Sequence, residues 1–362
     1  MEPFKNIFSA GFVNRLADAI SAKDAKFKRG EFLESVLDEQ WEARELKDRM
    51  HHIARQLHVN MSGDYPRQID VLMKVAPGFK GLPALVFPDF VEMYGLDYWK
   101  LSIPALEKYT VLCSSEFAVR PFIIKYPDRM MRQMRAWAKH ANEHVRRLAS
   151  EGCRPRLPWA MALPDFKRDP APVLPILEML RTDPSEYVRR SVANNLNDIS
   201  KDHPNLVLDI AREWVSETPE TKRLVKHACR TLLKKGDARA MKLFGFHQVE
   251  HAKVIALKLK KTSIPIGGTL EFSFIVEIPG SVKTSLRIEY AVDYLKSRGG
   301  YGKKVFKITE REFKGREQII RKHHVKDLTT RIHYPGLHHV TIVINGKNAA
   351  SASFELVRAS SI

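Results

Sequence analysis

The sequence predicts two folds in one chain, an all-α domain of HEAT-like helical repeats followed by an immunoglobulin-like β-sandwich. Apolar residues recur at helical spacing up to about residue 250, and a phrase within that region is repeated. After about residue 255 the pattern changes to strand-like alternation. We therefore predict a helical domain over 1–250, a linker over 251–261 and a sandwich over 262–362. The 362 residues suit two domains, and 44% hydrophobic residues exclude a mainly disordered chain.

The helical pattern is clearest between residues 30 and 57. Here Phe32, Leu33, Val36 and Leu37 share one stripe and charged residues occupy the rest of the surface, as in an amphipathic helix. Prolines separate this and later helical segments, because proline favours the first turn of a helix and interrupts its interior. They are Pro127, Pro158, Pro170, Pro184, Pro204 and Pro219.

One phrase returns along the helical region. Glu143-His-Val-Arg-Arg-Leu-Ala recurs 43 residues later as Glu186-Tyr-Val-Arg-Arg-Ser-Val, and Glu116-Phe-Ala-Val-Arg-Pro is a shorter echo. Helical pairs with periods of about 40 residues are typical of HEAT-like solenoids, which stack into a concave surface. A plain helical bundle is the alternative.

The last hundred residues contain about seven short segments rich in Val, Ile and aromatic residues. TLEFSFIVEI, SLRIEYAVDYL, KVFKITEREF and HHVTIVINGK alternate apolar and polar residues, and glycine-containing turns lie between them. Asn345-Gly346 suits a tight hairpin turn. The Cys…Trp…Cys core of antibody domains is missing, so only an immunoglobulin-like architecture is predicted.

The chain carries a net charge of +18 and has a pI near 9.7, which favours binding to nucleic acid or another extended anion. Residues 255–362 hold 19 Lys and Arg against nine Asp and Glu, so the excess is densest in the predicted sandwich. Arg298, Lys303 and Lys304 flank a glycine-rich turn, and we predict that they contact phosphates. A solvated basic hairpin is the alternative.

Several classes of site are absent from the sequence. There is no phosphate-binding loop, nucleophile elbow or zinc-protease motif, and no Cys-x-x-Cys pair. We therefore expect no metal and no cofactor. The few cysteines suit a reducing cytoplasm, and no secretory signal or transmembrane segment is recognised. Three histidine pairs are predicted to be surface residues: His51-His52, His323-His324 and His338-His339.

Polar residues concentrate in three helical segments. Glu116 and Arg120 are four residues apart and are predicted to share a helical face. Arg154, Arg156 and Trp159 follow in a proline-stiffened turn. The run from Arg190 to Asp198 contains Asn194, Asn195 and Asn197, although asparagine and aspartate are poor residues for a helix interior. Stacked helices would line these side chains along a concave face.

These phrases resemble those of AlkC-type alkylpurine DNA glycosylases, members of the AlkC/AlkD superfamily. SSEFAVRPF, RPRLPWA, EYVRRSVANNLNDISKDHP and IHYPGLHHVTIVINGK carry the resemblance, which spans nearly the whole chain. It implies a HEAT-like fold that grips double-stranded DNA and excises cationic alkylated bases, foremost 3-methyladenine and 3-methylcytosine, without flipping them into a pocket. We also expect a monomer, because a solenoid closed around DNA needs no partner.

The chemistry suits these residues. An N3-methylated base is already cationic and leaves without a general acid, so catalysis must stabilise positive charge on the deoxyribose. We predict that Glu116 and Asp198 stabilise that charge and orient water, and that Trp159 packs on the sugar. The predicted DNA contacts of the helical domain are Arg120, Arg146, Arg147, Arg154, Arg156, Arg190, Asn194 and Asn195.

Two other functions fit the same sequence. HEAT-like solenoids also serve as non-catalytic DNA-binding scaffolds, and a basic surface could hold an acidic protein partner. The tail could clamp DNA or only stabilise the last repeat. Loss of base release with retained DNA binding, on substitution of Glu116 or Asp198, would distinguish an enzyme from a scaffold.

Overall fold

The computed structural model describes residues 3–280, 283–327 and 332–358. The chain divides into two compact units, one of residues 1–207 and 213–228 and one of residues 208–212 and 229–362. Each unit buries its own set of apolar side chains. Within the described ranges, no helix has the length and apolar character needed to cross a bilayer.

The predicted all-α region is confirmed. The part of the chain that the structure describes contains sixteen α-helices. They are α1 (Ala10–Ser21), α2 (Arg29–Val36), α3 (Leu46–Asn60), α4 (Tyr65–Val75), α5 (Val86–Tyr94), α6 (Trp99–Leu112), α7 (Val119–Lys125), α8 (Pro127–Trp137), α9 (Glu143–Glu151), α10 (Pro164–Arg168), α11 (Leu174–Leu180), α12 (Glu186–Ile199), α13 (Pro204–Trp214), α14 (Pro219–Ala228), α15 (Arg230–Lys235) and α16 (Ala238–Leu243).

The repeated phrase marks equivalent helix starts. Helix α9 begins at Glu143 and α12 begins at Glu186, at the same place in each phrase. In both, the valine two residues on is buried, because the phrase directs that face of the helix to the core. The echo at Glu116 differs, since this residue lies in a turn before α7 and does not start a helix. Glu116 and Arg120 therefore do not share a helical face as predicted.

The second unit contains α15, α16 and a sandwich of two sheets, which confirms the immunoglobulin-like architecture. One sheet has the order β1-β3-β6 and the other β2-β8-β7-β4-β5. Apart from the parallel pair β2–β8, the strands pair antiparallel. The strands are β1 (Lys253–Leu259), β2 (Ser263–Pro265), β3 (Thr269–Ile278), β4 (Thr284–Leu295), β5 (Tyr301–Phe313), β6 (Gly315–His324), β7 (Gly336–Ile344) and β8 (Lys347–Val357).

The linker predicted over 251–261 is wrong, because these residues include strand β1, which pairs with β3. The second unit also begins earlier than predicted. Gly236 ends α15 and Gly346 lies in the β7–β8 turn, and both have positive φ. A Cβ on Gly236 would lie 2.7 Å from the carbonyl oxygen of Gly346, so only two glycines allow this approach of helix end and hairpin.

Candidate active site

A chain of charged side chains joins α9, α12 and the turn before α7. The carboxylate of Glu116 pairs with Arg147, and Arg147 Nη2 lies 3.4 Å from Glu151 Oε1. Arg154 then bridges two acids, with Nη1 at 2.6 Å from Glu151 Oε1 and Nε at 2.8 Å from Asp198 Oδ2. We call these five residues the charge network. It brings together four residues that the sequence singled out, Glu116, Arg147, Arg154 and Asp198.

The charge network is stable where it lies because its charges alternate. Helical spacing places Arg147 and Glu151 on one face of α9, and both are largely buried. An unpaired buried charge is very costly, whereas alternating pairs compensate one another. Burial lowers the pKa of Arg147, but the carboxylates of Glu116 and Glu151 outweigh it and raise that pKa. The guanidinium of Arg147 therefore stays charged.

Glu116 is the outermost carboxylate of the charge network. Its side chain is 15% exposed, against 2% for Asp198 at the inner end. Ser114 Oγ donates a hydrogen bond of 2.7 Å to Glu116 Oε2 and accepts one of 2.9 Å from Arg147 Nη1. Glu116 is therefore oriented from two sides while one edge of its carboxylate remains accessible.

A cavity of about 340 Å³ opens beside Glu116. Its wall is mostly apolar and includes three aromatic rings, those of Phe8, Phe117 and Trp159. Trp159 is 63% exposed and has a φ of 64°, a backbone conformation that is uncommon for a residue with a side chain. The structure thus brings Glu116 and Trp159 together, as predicted. No obvious motif in the sequence of the helical region indicated this aromatic-lined cavity.

Cys113 also lines this cavity. Burial raises the pKa of its thiol to about 12, so the thiolate needed for nucleophilic attack is absent at neutral pH. The cavity therefore offers a carboxylate, not a sulfur, as its reactive group.

Three predicted site residues are too deeply buried to touch a ligand. Arg120 is fully buried, and burial lowers its pKa to about 10. Its guanidinium donates to backbone carbonyls of the loop after α9. Asn195 is also buried and donates to the carbonyl oxygen of Ser150 at 2.8 Å. Asp198 is held by Arg154 and by Lys201 Nζ at 3.0 Å. The predictions of DNA contact by Arg120 and Asn195, and of sugar contact by Asp198, are therefore wrong.

The other arginines of the helical unit that were predicted to contact DNA also have carboxylate partners. Arg154 is buried within the charge network, which corrects its predicted role in phosphate contact. Arg146 Nε lies 2.6 Å from Asp183 Oδ2, and Arg156 Nη2 lies 2.7 Å from Asp202 Oδ1. Arg190 is the most accessible, with a side chain 64% exposed and an ion pair to Glu186. These pairs lie at the surface or near it, so a phosphate would have to compete with a carboxylate for each guanidinium.

Asn194, predicted to contact DNA, lies at the surface of α12. It is half-buried, and its Oδ1 lies 3.1 Å from His227 Nε2 on α14. Unlike Asn195, it therefore keeps a polar side chain within reach of a ligand.

The basic side chains of the predicted hairpin, unlike these arginines of the helical unit, are not paired with carboxylates in the part of the chain that the structure describes. Arg298, Lys303 and Lys304 lie in and beside the turn between β4 and β5, and all three are exposed. Among the described residues, none of the three has an ion-pair partner. Their charges are thus available to an anion without displacing a carboxylate.

One histidine of each pair is buried, so the prediction that both are surface residues is wrong for that member. His52, His323 and His338 are buried, while His324 is exposed. His323 lies between two hydroxyl groups, at 2.9 Å from that of Tyr290 and 2.5 Å from that of Tyr294. Within the described ranges, no group of three or more His, Cys, Asp or Glu is arranged to hold a metal ion.

Sequence reasoning missed two residues of the site. Glu151 is the central carboxylate of the charge network. Its position four residues after Arg147 on one helix could have indicated an ion pair between them. Lys47 of α3 lines the cavity and donates to the carbonyl oxygen of Trp159 at 3.0 Å. No local pattern joins two residues that are 112 positions apart.

Two family models match the chain. One, described as DNA alkylation repair enzyme, matches residues 109–232 and so includes the whole charge network. The other, described as the C-terminal Ig-like domain of the uncharacterised protein YhaZ, matches residues 253–358. Fold and site together therefore define a DNA alkylation repair protein with an appended immunoglobulin-like domain.

Two full-length relatives identify the family. The chain is 45% identical over 358 residues to uncharacterized protein YhaZ of Bacillus subtilis (strain 168), covering 98% of this chain and all of the relative. It is 38% identical to the alkylpurine DNA glycosylase AlkC of Pseudomonas fluorescens, solved bound to DNA with an abasic-site analog. That match covers 98% of this chain and all of the other, with a TM-score of 0.93. The chain belongs to the AlkC family of DNA alkylation repair enzymes.

Proposed function

We propose that this protein is a DNA glycosylase that hydrolyses the N-glycosidic bond of cationic alkylated bases in duplex DNA, with 3-methyladenine and 3-methylcytosine as substrates. The observation that carries the proposal is the pairing of an oriented, partly exposed carboxylate, Glu116, with the exposed indole of Trp159 at one cavity. The solved AlkC structure, which contains DNA with an abasic-site analog, supports duplex DNA as the partner.

In this mechanism the cationic base leaves with the electron pair of its glycosidic bond and becomes neutral. Positive charge then develops on the deoxyribose, and the fixed Glu116 carboxylate stabilises it without reorganisation. Water forms the new bond to the sugar carbon and gives up a proton to Glu116 or to solvent. Trp159 supplies an aromatic face to the same charge. No metal or cofactor takes part.

Asp198 is a positioning residue in this proposal. Its carboxylate fixes Arg154, which fixes Glu151, and Glu151 fixes the Arg147 that orients Glu116. It acts through these side chains and does not touch the sugar.

We further propose that the base is not flipped into the cavity and that no lysine attacks the sugar. A cationic base would lie unfavourably beside the ammonium of Lys47 in the cavity wall. That ammonium donates to the carbonyl oxygen of Trp159, so it is not a free amine nucleophile. A complex with the damaged base seated in the cavity would contradict the first of these two points.

The test is release of free base from methylated duplex DNA under single-turnover conditions, without metal or cofactor. We expect release by wild type and a loss of at least about 100-fold in Glu116→Gln, because the neutral amide cannot stabilise the developing charge. Duplex affinity should stay near wild type, since Glu116 contributes no positive charge. Borohydride added to the same reactions should trap no protein–DNA adduct.

Glu31→Gln is the matched control, because Glu31 is an exposed carboxylate in an ion pair with Lys28. It should release base at the wild-type rate. Tight, salt-sensitive DNA binding without any base release by wild type would instead indicate a non-catalytic scaffold. Equal activity of Glu116→Gln and wild type would remove Glu116 from the mechanism.

A further inference from the structure

The loop that presents Trp159 runs from residue 152 to 163, between α9 and α10. It is irregular, and Trp159 within it has a φ of 64°. The left-handed region is sparsely populated by residues with a Cβ, and such a conformation persists only where the surroundings impose it. Relaxation to negative φ would rotate the peptide that follows Trp159 and turn the indole away. Some contact must therefore hold this backbone.

Arg120 holds the loop from inside the protein. Its Nη1 donates to the carbonyl oxygens of Gly152 and Arg154 at 3.0 and 2.8 Å, and its Nε donates to that of Met161 at 2.7 Å. These bonds fix both ends of the loop to α7. They do not reach the peptide of Trp159 itself.

Lys47 holds that peptide from the other side. Its Nζ donates to the carbonyl oxygen of Trp159 at 3.0 Å and lies 5.3 Å from the centre of the Phe117 ring. Phe117 directly follows Glu116, so Lys47 contacts both segments that carry the proposed catalytic groups. It does so from α3, which contributes no member of the charge network.

Two acidic side chains of α5 interact electrostatically with Lys47. Asp89 and Glu92 are one turn apart on α5, and His51 is one turn after Lys47 on α3. His51 Nδ1 lies 2.8 Å from Asp89 Oδ1. Burial raises the pKa of Asp89 and Glu92, while the charges of Lys47 and His51 act in the opposite direction. The carboxylates of Asp89 and Glu92 therefore interact favourably with the charge of Lys47, and the charge of His51 opposes it.

We propose that Lys47 is a positioning residue that holds Trp159 in its left-handed conformation and so keeps the indole beside Glu116. The part of the proposal that concerns base release rests on the proposed glycosylase function. The part that concerns Trp159 conformation does not, because it can be observed in the protein without DNA.

The experiment labels the five tryptophans of the full chain with 5-fluorotryptophan and records their ¹⁹F resonances. The Trp159 resonance is assigned from Trp159→Phe. We expect Lys47→Met to shift or broaden this resonance and to leave the other four in place, because only Trp159 loses a hydrogen bond. Lys47→Arg keeps a cationic donor and should restore the resonance at least in part. Lys74→Met, which removes an exposed lysine paired with Asp70, is the control and should change none.

The second measurement is the rate of base release in a single turnover at saturating enzyme concentration. Lys47→Met should be slower by about 10-fold, because displacement of a positioned group by as little as 1 Å can cost more than this. Its affinity for undamaged duplex should stay near wild type. If Lys47 instead bound a phosphate, the salt dependence of binding would fall by about 0.9 in slope and the saturated rate would not change.

An unchanged Trp159 resonance in Lys47→Met would overturn the proposal. So would a changed resonance with base release equal to that of wild type. A changed resonance together with an inactive wild type would support the positioning role and count against the glycosylase function, so the two failures are distinguishable.

Discussion

The charge network of the helical unit and the basic hairpin of the second unit use arginine and lysine in opposite ways. In the charge network each guanidinium is buried against carboxylates, as Arg154 is between Glu151 and Asp198. In the hairpin, Lys303 and Lys304 are exposed and have no acidic partner within the described residues. A net charge of +18 therefore does not describe one uniform basic surface. Charges in the first region fix geometry, and charges in the second remain available to an anion.

The comparison implies different costs for removing a positive charge. Removal of a buried arginine leaves its partner carboxylates uncompensated, so it should lower the free energy of unfolding. Removal of an exposed and unpaired lysine deprives no carboxylate of its partner, so it should only weaken binding to an anion.

The largest effect is expected from Arg154→Met. Without this guanidinium, Glu151 and Asp198 are buried acids that have lost a shared partner, and we expect the free energy of unfolding to fall by about 3–5 kcal/mol. Urea denaturation at neutral pH measures it. Arg156→Met is the control, because its ion pair with Asp202 is about one-third exposed and should contribute less than about 1 kcal/mol. Similar losses in the two variants would contradict the comparison.

The hairpin variant Arg298→Gln, Lys303→Gln, Lys304→Gln should bind duplex DNA more weakly with unchanged stability. If all three contact phosphates, the slope of log affinity against log salt should decrease by about 2.7, from about 0.9 per phosphate. Fluorescence anisotropy over a range of salt concentrations measures it. Lys258→Gln, Lys314→Gln, Lys326→Gln removes the same charge from other exposed positions of the unit. An equal loss in this control would show that only the overall field matters.

The smallest effect concerns the buried side chain of His338, beside which the described part of the chain places no opposite charge. His338 donates from Nε2 to the carbonyl oxygen of Tyr334 at 3.0 Å and accepts at Nδ1 from the Leu295 amide at 3.3 Å. Burial lowers the pKa of His338, and nearby histidine charges act in the same direction. The site therefore favours the neutral ring.

The sign of the pH effect follows from the lowered pKa. Above the unfolded-state pKa of about 6.5 both states are neutral at His338, and stability does not depend on this group. As pH falls below that value the unfolded state binds a proton first. The free energy of unfolding then decreases by at most about 1.4 kcal/mol per pH unit until the folded pKa is reached. Calorimetry from pH 7.5 to 5 should show a shallower decrease in His338→Gln, and parallel curves would contradict the assignment.

Much of the fold could be predicted because short stretches of sequence indicate which helix or strand they form. The repeated phrases at Glu143 and Glu186 place two helix starts correctly, since helical periodicity and polar residues at the start are local properties. The alternation that predicted strands is equally local. The predicted linker is wrong because β1 pairs with β3, and the sequence of residues 251–261 does not specify this contact between distant segments.

The sequence indicated which residue types form the site, but it did not indicate which of these residues are buried. Asp198 and Asn195 lie on a buried face of α12 that is polar, whereas sequence patterns equate polar with exposed. Arg120 carried a signal that was available, since it lies in an otherwise apolar run between Val119 and Phe122, both of which are fully buried. Depth is set by the neighbouring helices, and these enter only through the tertiary structure.

The contact between Gly236 and Gly346 also determines where this chain separates into transferable modules. Because the backbone at the end of α15 lies directly against the β7–β8 turn, α15 and α16 belong to the immunoglobulin-like unit even though they are helices. A chain shortened at residue 250 would retain these two helices and lose the hairpin that one of them packs on. The second compact unit therefore begins mainly at residue 229, inside what the sequence presents as an unbroken helical region.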